Sequence, residues 1–315
     1  MHYQGIVPLR PFPVGRRLNE QDQAYRLLQG SRIETSEPYS DLSVIKLNST
    51  YLELVDKYYL GKGWMTLMAN GIAVMMILFG LWFLTFGFEK AAAGDSAGAV
   101  SGALAALLLW LVSAVGIWLA RFEWAYYTHY PIRLNRQTRM VHVFRKDGTV
   151  LNIPWDEVFF TLDHDARYWE IRGHVLKADG ETVEETFALG TFSAFNRGDG
   201  LRRLHAHWEF FRRYMEEGPE AVAGYVKQAL PIDKKRESFR VGYEVLATGY
   251  RHPNPILSLI GWIQWPLLAL SSVGRWVAMR ISRIPEWPEE IEAVNQVALD
   301  DPYDIDARIN PPELR

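Results

Sequence analysis

Two long uncharged stretches interrupt an otherwise mixed pattern of apolar and polar positions. Residues 64–88 and residues 97–120 each run without an Asp, Glu, Lys, Arg or His. Each holds more than the ~20 apolar helical residues that a hydrocarbon core of roughly 30 Å requires. Only Glu89 to Ser96 separate them, so two antiparallel neighbouring helices are predicted. Ala99, Ser101, Gly102, Ala103, Ala105, Ala106, Ser113, Ala114 and Gly116 make the second stretch rich in small residues, which allow helices to approach closely. With no ionisable group inside either stretch, the pattern favours an anchor over an ion path or proton relay.

The remaining pattern is shorter in period. Before the hairpin, Pro8, Pro11 and Pro13 predict an extended start. Residues 19–28 predict a short helix with Asn19 as N-cap and Gly30 past its end. Residues 43–59 are rich in β-branched and aromatic side chains; strand is preferred over the helix that Leu52, Val55 and Tyr59 would permit. After the hairpin, residues 132–192 alternate and turn every 8–12 residues, as in a small antiparallel meander or barrel. Asp147-Gly148 and Asp179-Gly180 are hairpin turn signals. Leu201, Leu204, Trp208, Phe211 and Met215 then repeat at helical spacing, and Gly218-Pro219 stop that helix. Strands closed by one amphipathic helix predict a pleckstrin-homology-like barrel. Residues 220–229 predict another short helix, and 231–237 a charged link.

A third apolar run, residues 256–273, contains Gln264 and Pro266 and carries Arg251 before it and Arg275, Arg280 and Arg283 after it. Basic residues on both sides disfavour crossing, so an interfacial or re-entrant arrangement is expected, with a third span as the alternative. Residues 285–315 are acidic and Pro-rich and predict an extended tail.

Charge sets the expected topology. Lys57 and Lys62 precede the hairpin, and Arg121, Arg133, Arg136, Arg139, Arg145 and Lys146 follow it. The turn has Lys90 opposed by Glu89 and Asp95. The turn is therefore expected outside a bacterial inner membrane and both flanks in the cytoplasm. The first sixty residues are polar, so the first span is expected to serve as the targeting signal. A net charge of −3 argues against a dedicated nucleic-acid binder, and the absence of cysteine removes disulfides, thiolate metal sites and Cys nucleophiles.

Few constellations suggest chemistry. Asp163-His164-Asp165 offers metal-ligand types, but a polar turn is the simpler reading. His205 and His207 lie two apart on a predicted helix, about 200° around it, and cannot chelate one ion together. No zinc-protease, phosphate-loop or nucleophile-elbow motif occurs, so no catalytic residue, cofactor or metal is assigned. Arg202, Arg203, Arg212 and Arg213 predict a basic helix face; with Trp262 and Trp265 they are candidate membrane-surface contacts. Glu181, Glu184 and Glu185, with Asp163 and Asp165, are the candidate acidic contacts for a basic partner.

Over residues 40–220 the order of parts is a polar start, a two-span hairpin, then Pro131-Ile-Arg-Leu-Asn-Arg136 leading through Gly148-Thr149 to Pro154-Trp155-Asp156-Glu157-Val158. It resembles an uncharacterised family of bacterial membrane proteins encoded beside type VI secretion toxins. The resemblance implies an immunity protein that binds and neutralises a cognate toxin; some relatives look like partners of nucleases with a restriction-endonuclease-type domain. The expected protein is thus a non-enzymatic α+β membrane protein. Its parts are an N-terminal cytoplasmic segment (1–63), a transmembrane hairpin (64–120), a cytoplasmic β domain with its helix (121–230), a linker with interfacial or re-entrant helices (231–284) and the tail (285–315). Its expected partners are a toxin and the lipid bilayer, with a homo-oligomer also open. A membrane-anchored adaptor or sensor of the secretion system is the competing expectation.

Overall fold

The computed structural model describes residues 12–33, 37–124, 126–165, 168–191, 194–195, 199–248 and 265–315. The chain divides into two units. One comprises residues 1–61, 127–241 and 284–315; the other comprises 62–126 and 242–283.

The first unit is built from two antiparallel sheets. One sheet has strands β2 (Val44–Leu47), β3 (Tyr51–Leu54), β4 (Ile132–Asn135), β5 (Met140–Phe144) and β6 (Val150–Pro154), in that order. The other contains β1 (Arg26–Leu27), β7 (Phe159–Asp165), β8 (Tyr168–Leu176), β9 (Val183–Ala188) and β10 (Ala194–Phe195). Here β7 lies between β1 and β8, and both β9 and β10 pair with β8. The strand preference for residues 43–59 is realised: β3 pairs with β4 in the register Tyr51↔Asn135 to Leu54↔Ile132. Asn48 makes the turn before it, its Oδ1 accepting from the Thr50 and Tyr51 N–H groups at 2.9 and 2.8 Å. Both Asp-Gly turns form. Gly148 and Gly180 adopt positive φ, which glycine tolerates without a Cβ clash, and Asp147 and Asp179 accept backbone N–H groups across the turns.

The predicted helix over 19–28 is shorter. Helix α1 spans Glu20–Ala24 with a full capping box from Asn19 and Asp22, and the chain then turns into β1. The competing pull is core burial, because Leu27 is buried opposite Phe160. Asp163 and its neighbours belong to strand β7, paired with β8, rather than to a polar turn. The short helix expected over 220–229 is replaced by two 3-10 turns, Pro219–Ala221 and Ala223–Tyr225.

Helix α4 (Gly200–Glu216) carries the predicted apolar stripe. Leu204, Trp208, Phe211 and Met215 are buried. Trp208 stacks on Trp155 with ring centroids 5.6 Å apart, and Phe160 packs on both. The Trp155 indole N–H donates to Glu216 at 2.8 Å, tying strand-sheet core and helix end together.

The expected basic face of α4 is corrected in its second half. Arg212 and Arg213 are buried, not presented to lipid or water. Glu209, wholly buried on the same helix, accepts from both guanidinium groups at 2.8–3.0 Å and from the Ile33 N–H at 2.9 Å. Spacings of three and four residues place all three on one helical face, so the arginines turn inward to their counter-ion. Burial alone would raise the Glu209 carboxyl. Bonds from Arg212, Ile33 and Arg213 outweigh it and hold the group below its usual range.

The second unit holds helices α2 (Trp64–Ala92) and α3 (Ser96–Trp124), antiparallel and joined by a turn at Ala93–Asp95. Both run further than the uncharged stretches, through Glu89-Lys90 and Arg121. They are long and apolar enough to cross a membrane, and only 17% and 22% of their most apolar windows are buried. Small residues do bring them together: a Cβ on Gly102 would meet Gly87 Cα at 2.8 Å, and one on Gly116 would meet the Ala69 carbonyl at 3.0 Å. At their open ends the Glu123 carboxylate accepts from the Gly63 N–H at 2.6 Å, the Thr66 N–H at 2.7 Å and the Thr66 hydroxyl. An anion there satisfies N–H groups that a helix start leaves unpaired. Helices α5 (Phe239–Thr248) and α6 (Trp265–Ile281) follow in the later part of the chain. The first half of the third apolar run, with Trp262, lies outside the described residues.

Replacing Glu209 with Ala should cost about 3–5 kcal/mol, since it strands two buried arginines; Glu184→Ala on an exposed position should stay within about 0.5 kcal/mol. Urea unfolding of the solubilised full chain measures both. A depressed folded pKa means that Glu209 stabilises fully above its unfolded value near 4.3. That contribution is lost as pH falls through the folded value.

Candidate functional site

The predicted acidic contacts do not form one patch. Glu181 and Glu184 are exposed, Glu181 lying 3.5 Å from Arg17. Glu185 is buried on the opposite face of β9, where Arg145 grips it through two bonds of 2.8 and 2.6 Å. Strand period separates them, because successive side chains point to opposite faces. Asp163 pairs with Arg172. The side chains of His164 and Asp165 lie outside the described ones. Of the predicted membrane contacts, Arg202 and Arg203 are exposed; Arg203 donates to the Tyr39 hydroxyl at 2.9 Å and lies over its ring. Trp265 is exposed at the start of α6.

One trio has metal-ligand character: Asp22, Asp163 and His174 place donor atoms within 4.8 Å of one another, all buried. His174 Nδ1 meets the Thr186 hydroxyl at 2.7 Å, and its Nε2 lies 3.7 Å from Asp22. Arg16 grips Asp22 through bonds of 2.5 and 3.0 Å, and Arg172 grips Asp163. Burial would raise the Asp22 carboxyl, but the nearby His174 together with bonds from Arg16 and the Asn19 N–H holds it far below its usual range. Two guanidinium cations, of Arg16 and Arg172, neutralise the two carboxylates. The trio therefore pins α1 and its flank to the second sheet; its charge is already balanced.

The more open feature is a cleft of about 280 Å³ in the first unit. Its floor is the first sheet and its wall is the C-terminal stretch. Glu53 on β3 accepts from Arg133 on β4 at 3.1 and 2.8 Å, and from the Trp287 indole at 3.0 Å. Arg133 sits between the rings of Tyr51 and Trp287, at 4.3 and 4.8 Å from their centroids, an arrangement that favours a cation over each π face. Burial would lower the Arg133 pKa; Glu53, Tyr51 and Glu292 more than compensate and raise it. Burial pushes the Tyr51 phenol far up, so it stays neutral. Glu292 reaches Arg133 at 3.4 Å and Lys234 at 3.5 Å, while Asp233 and Glu286 line the exposed rim. Four carboxylates against two cations leave the cleft negative.

The predicted acidic tail supplies this wall, so it is a docked strap rather than a free end. Helix α7 (Glu289–Val294) buries Ile291. Beyond it, Asn135 donates to the Val294 carbonyl at 2.9 Å, Asp301 accepts from the Ser49 N–H and hydroxyl at 2.7 and 2.8 Å, and Ile305 exchanges backbone bonds of 2.8–2.9 Å with Leu47. The last exchange covers the outer strand β2, an edge that would otherwise offer unpaired backbone groups. Asn310 closes the strap, accepting from the Ala229 N–H at 3.0 Å and donating to its carbonyl at 2.6 Å. Glu53, Arg133, Asp233 and Trp287 are not among the candidates that the sequence offers, and only Trp287 carries a signal. A lone Trp between prolines in a charged stretch was its sequence signal.

These features define a mixed α+β protein with two helices of membrane-spanning length and a separate antiparallel β unit bearing an acidic, aromatic-walled cleft. The chain belongs to DUF6708, a family of unknown function whose model matches residues 107–298. No curated protein and no solved structure matches it.

Asn310→Ala should cost about 1–3 kcal/mol, because it leaves both backbone groups of buried Ala229 unpaired. Thermal unfolding followed by intrinsic fluorescence measures the loss. Trypsin should also release the strap from the variant sooner than from the parent.

Proposed function

We propose that this protein is a membrane-anchored immunity protein. It binds a cognate type VI secretion antibacterial toxin from the cytoplasmic side and occludes it without chemistry. The observation that carries the anchoring is the bare apolar surface of α2 and α3: Leu78, Trp82, Leu104, Leu108 and Leu111 are each more than half exposed, with no charged side chain among them. Water would penalise that surface at roughly 25 cal/mol per Å², whereas hydrocarbon would not. The basic residues on both flanks support an inner-membrane hairpin whose turn faces out.

Binding rests on charge. The rim acids Asp233 and Glu286, with exposed Glu181 and Glu184 elsewhere on the unit, suit a basic partner such as the nucleic-acid groove of a nuclease. A nuclease toxin acting in the cytoplasm would meet them there.

One observation favours the adaptor reading. The meander β3–β6, followed by β7–β9 and then α4, supports reading the unit as a pleckstrin-homology-like module, with the apolar hairpin between β3 and β4 in the chain. Such modules serve many partners, so the order alone does not decide function.

Co-expression with the product of each neighbouring gene separates the two. An immunity protein restores growth and co-purifies at a fixed ratio; an adaptor co-purifies without rescue. Glu286→Lys combined with Asp233→Lys should weaken the complex at least tenfold in a titration at 50 mM salt. Raising salt to 500 mM should do likewise to the parent, as screening predicts. An affinity indifferent to both changes removes the acidic cleft from the interface. Orientation has its own test: alkaline phosphatase fused after Ala93 should be active, and fused after Arg315 inactive.

A further inference from the structure

Helix α6 has two sharply different sides. Leu268, Ser272, Arg275, Met279 and then Ser282 fall at steps of three and four residues and are all buried. The other side is uncovered, yet it is apolar: Trp265, Leu267, Leu270, Val273, Trp276 and Ile281 are each 41–52% exposed. A soluble surface helix shows the reverse, with its charges outward.

The contacts of α6 within its unit fix where that bare side lies. A Cβ on Gly63 would meet Arg275 Cα at 2.2 Å, and one on Gly274 would meet Leu67 Cβ at 2.8 Å, so the helices touch at the first turn of α2. The Arg275 guanidinium donates to the Lys62 carbonyl at 3.4 Å. Farther on, the Ser282 hydroxyl donates to the Glu123 carbonyl at 3.4 Å and the Arg283 N–H to the Tyr126 carbonyl at 2.9 Å. Every one of these partners belongs to the open ends of the hairpin. One to two turns deeper along α2 the contact is gone: nothing lies within 4 Å of a Cβ on Gly71, and Val74 is 56% exposed. A helix running beside α2 into the bilayer would cover both positions.

We propose that α6 is an in-plane interfacial helix. Its bare apolar side seats in the boundary between headgroups and acyl chains of the leaflet reached by the open ends of α2 and α3. The occupant is lipid, because α6 docks on the open ends of a hairpin whose own surface is apolar and exposed, and Trp64 and Trp118 are half exposed near those ends. Trp265 and Trp276 extend that aromatic belt, and indole rings favour headgroup depth. Arg280, lying over the Trp276 ring, and exposed Arg283 have long stems that let their charges reach water from such a position. In-plane helices bury the apolar side by about 5–10 Å, well short of the midplane. The inference rests on the membrane reading of the hairpin.

The chain has no cysteine, so single-cysteine labelling needs no background removal. The full-length variants Leu270→Cys and Val273→Cys would be labelled with a small fluorophore and reconstituted in phosphatidylethanolamine–phosphatidylglycerol vesicles. Leu78→Cys reports the hairpin and Glu184→Cys reports water. Expected at 270 and 273 is quenching several-fold stronger by a spin label near the acyl-chain top than by one near its end, with iodide quenching several-fold weaker than at 184. Leu78→Cys should respond best to the deep label. Iodide quenching at 270 and 273 equal to that at 184, with 78 still deep, overturns the interfacial helix and leaves the anchor standing. Deep quenching at 270 equal to that at 78 overturns it in favour of a spanning segment. Iodide quenching at 78 itself removes both readings.

Discussion

The pairing of β3 with β4 is the constraint on which the architecture turns. Four register pairs join Tyr51–Leu54 to Ile132–Asn135, yet the whole apolar hairpin lies between them in the chain. Such an insertion is compatible with a paired sheet only if the chain leaves and returns at one place. The hairpin meets that demand within its own unit. The Glu123 carboxylate, at the end of α3, caps the first turn of α2, and Lys62 donates back to the Glu123 carbonyl at 3.0 Å. Closing a long loop adds only about 0.6 kcal/mol per doubling of its length, so a large insertion is tolerated once its ends are clamped. One buried carboxylate thus clamps the two ends of the inserted hairpin within its own unit.

Buried charge recurs as the organising device of the β unit. Glu209 gathers Arg212, Arg213 and a backbone N–H at the side of α4, and Glu53 gathers Arg133 and an indole N–H beneath the strap. Apolar residues of the same volume would often be as stable, because ion pairs lose solvation on burial. What the pairs add is geometry. A guanidinium fork satisfied by one carboxylate fixes which face of α4 turns inward and where the strap crosses the sheet, whereas leucines would tolerate several arrangements.

This device also explains where sequence pattern was informative. Periodicity found the hairpin, both Asp-Gly turns and the stripe from Leu204 to Met215, because in each case the local signal and the packed structure agree. It misjudged Arg212, Arg213 and Glu185, since a charged residue reads as solvated unless its buried counter-ion is known. For Glu185 that partner is Arg145, forty residues away. The strap failed for the same reason. Its composition of acids and prolines matches a free tail, but its hold comes from backbone bonds to Leu47, Ser49 and Ala229, which leave no trace in its own hydropathy. Its apolar anchors, Trp287, Ile291, Tyr303 and Ile305, are too irregularly spaced to form a period.

The cleft divides its charges between two tasks. Glu53 is buried and committed to Arg133 and Trp287, so it fixes the floor and contributes little field outside. Glu292 is half committed, to Arg133 and Lys234. Asp233 and Glu286 stand on the exposed rim. Rim charges act mainly through encounter rate and salt dependence, and buried ones through dissociation. Under the proposed function, a basic partner arriving here would be steered by Asp233 and Glu286 but retained by what it fits against Trp287 and the floor. Retention is then a matter of shape at one indole, which makes Trp287 the position where a tight partner would be told from a merely cationic one.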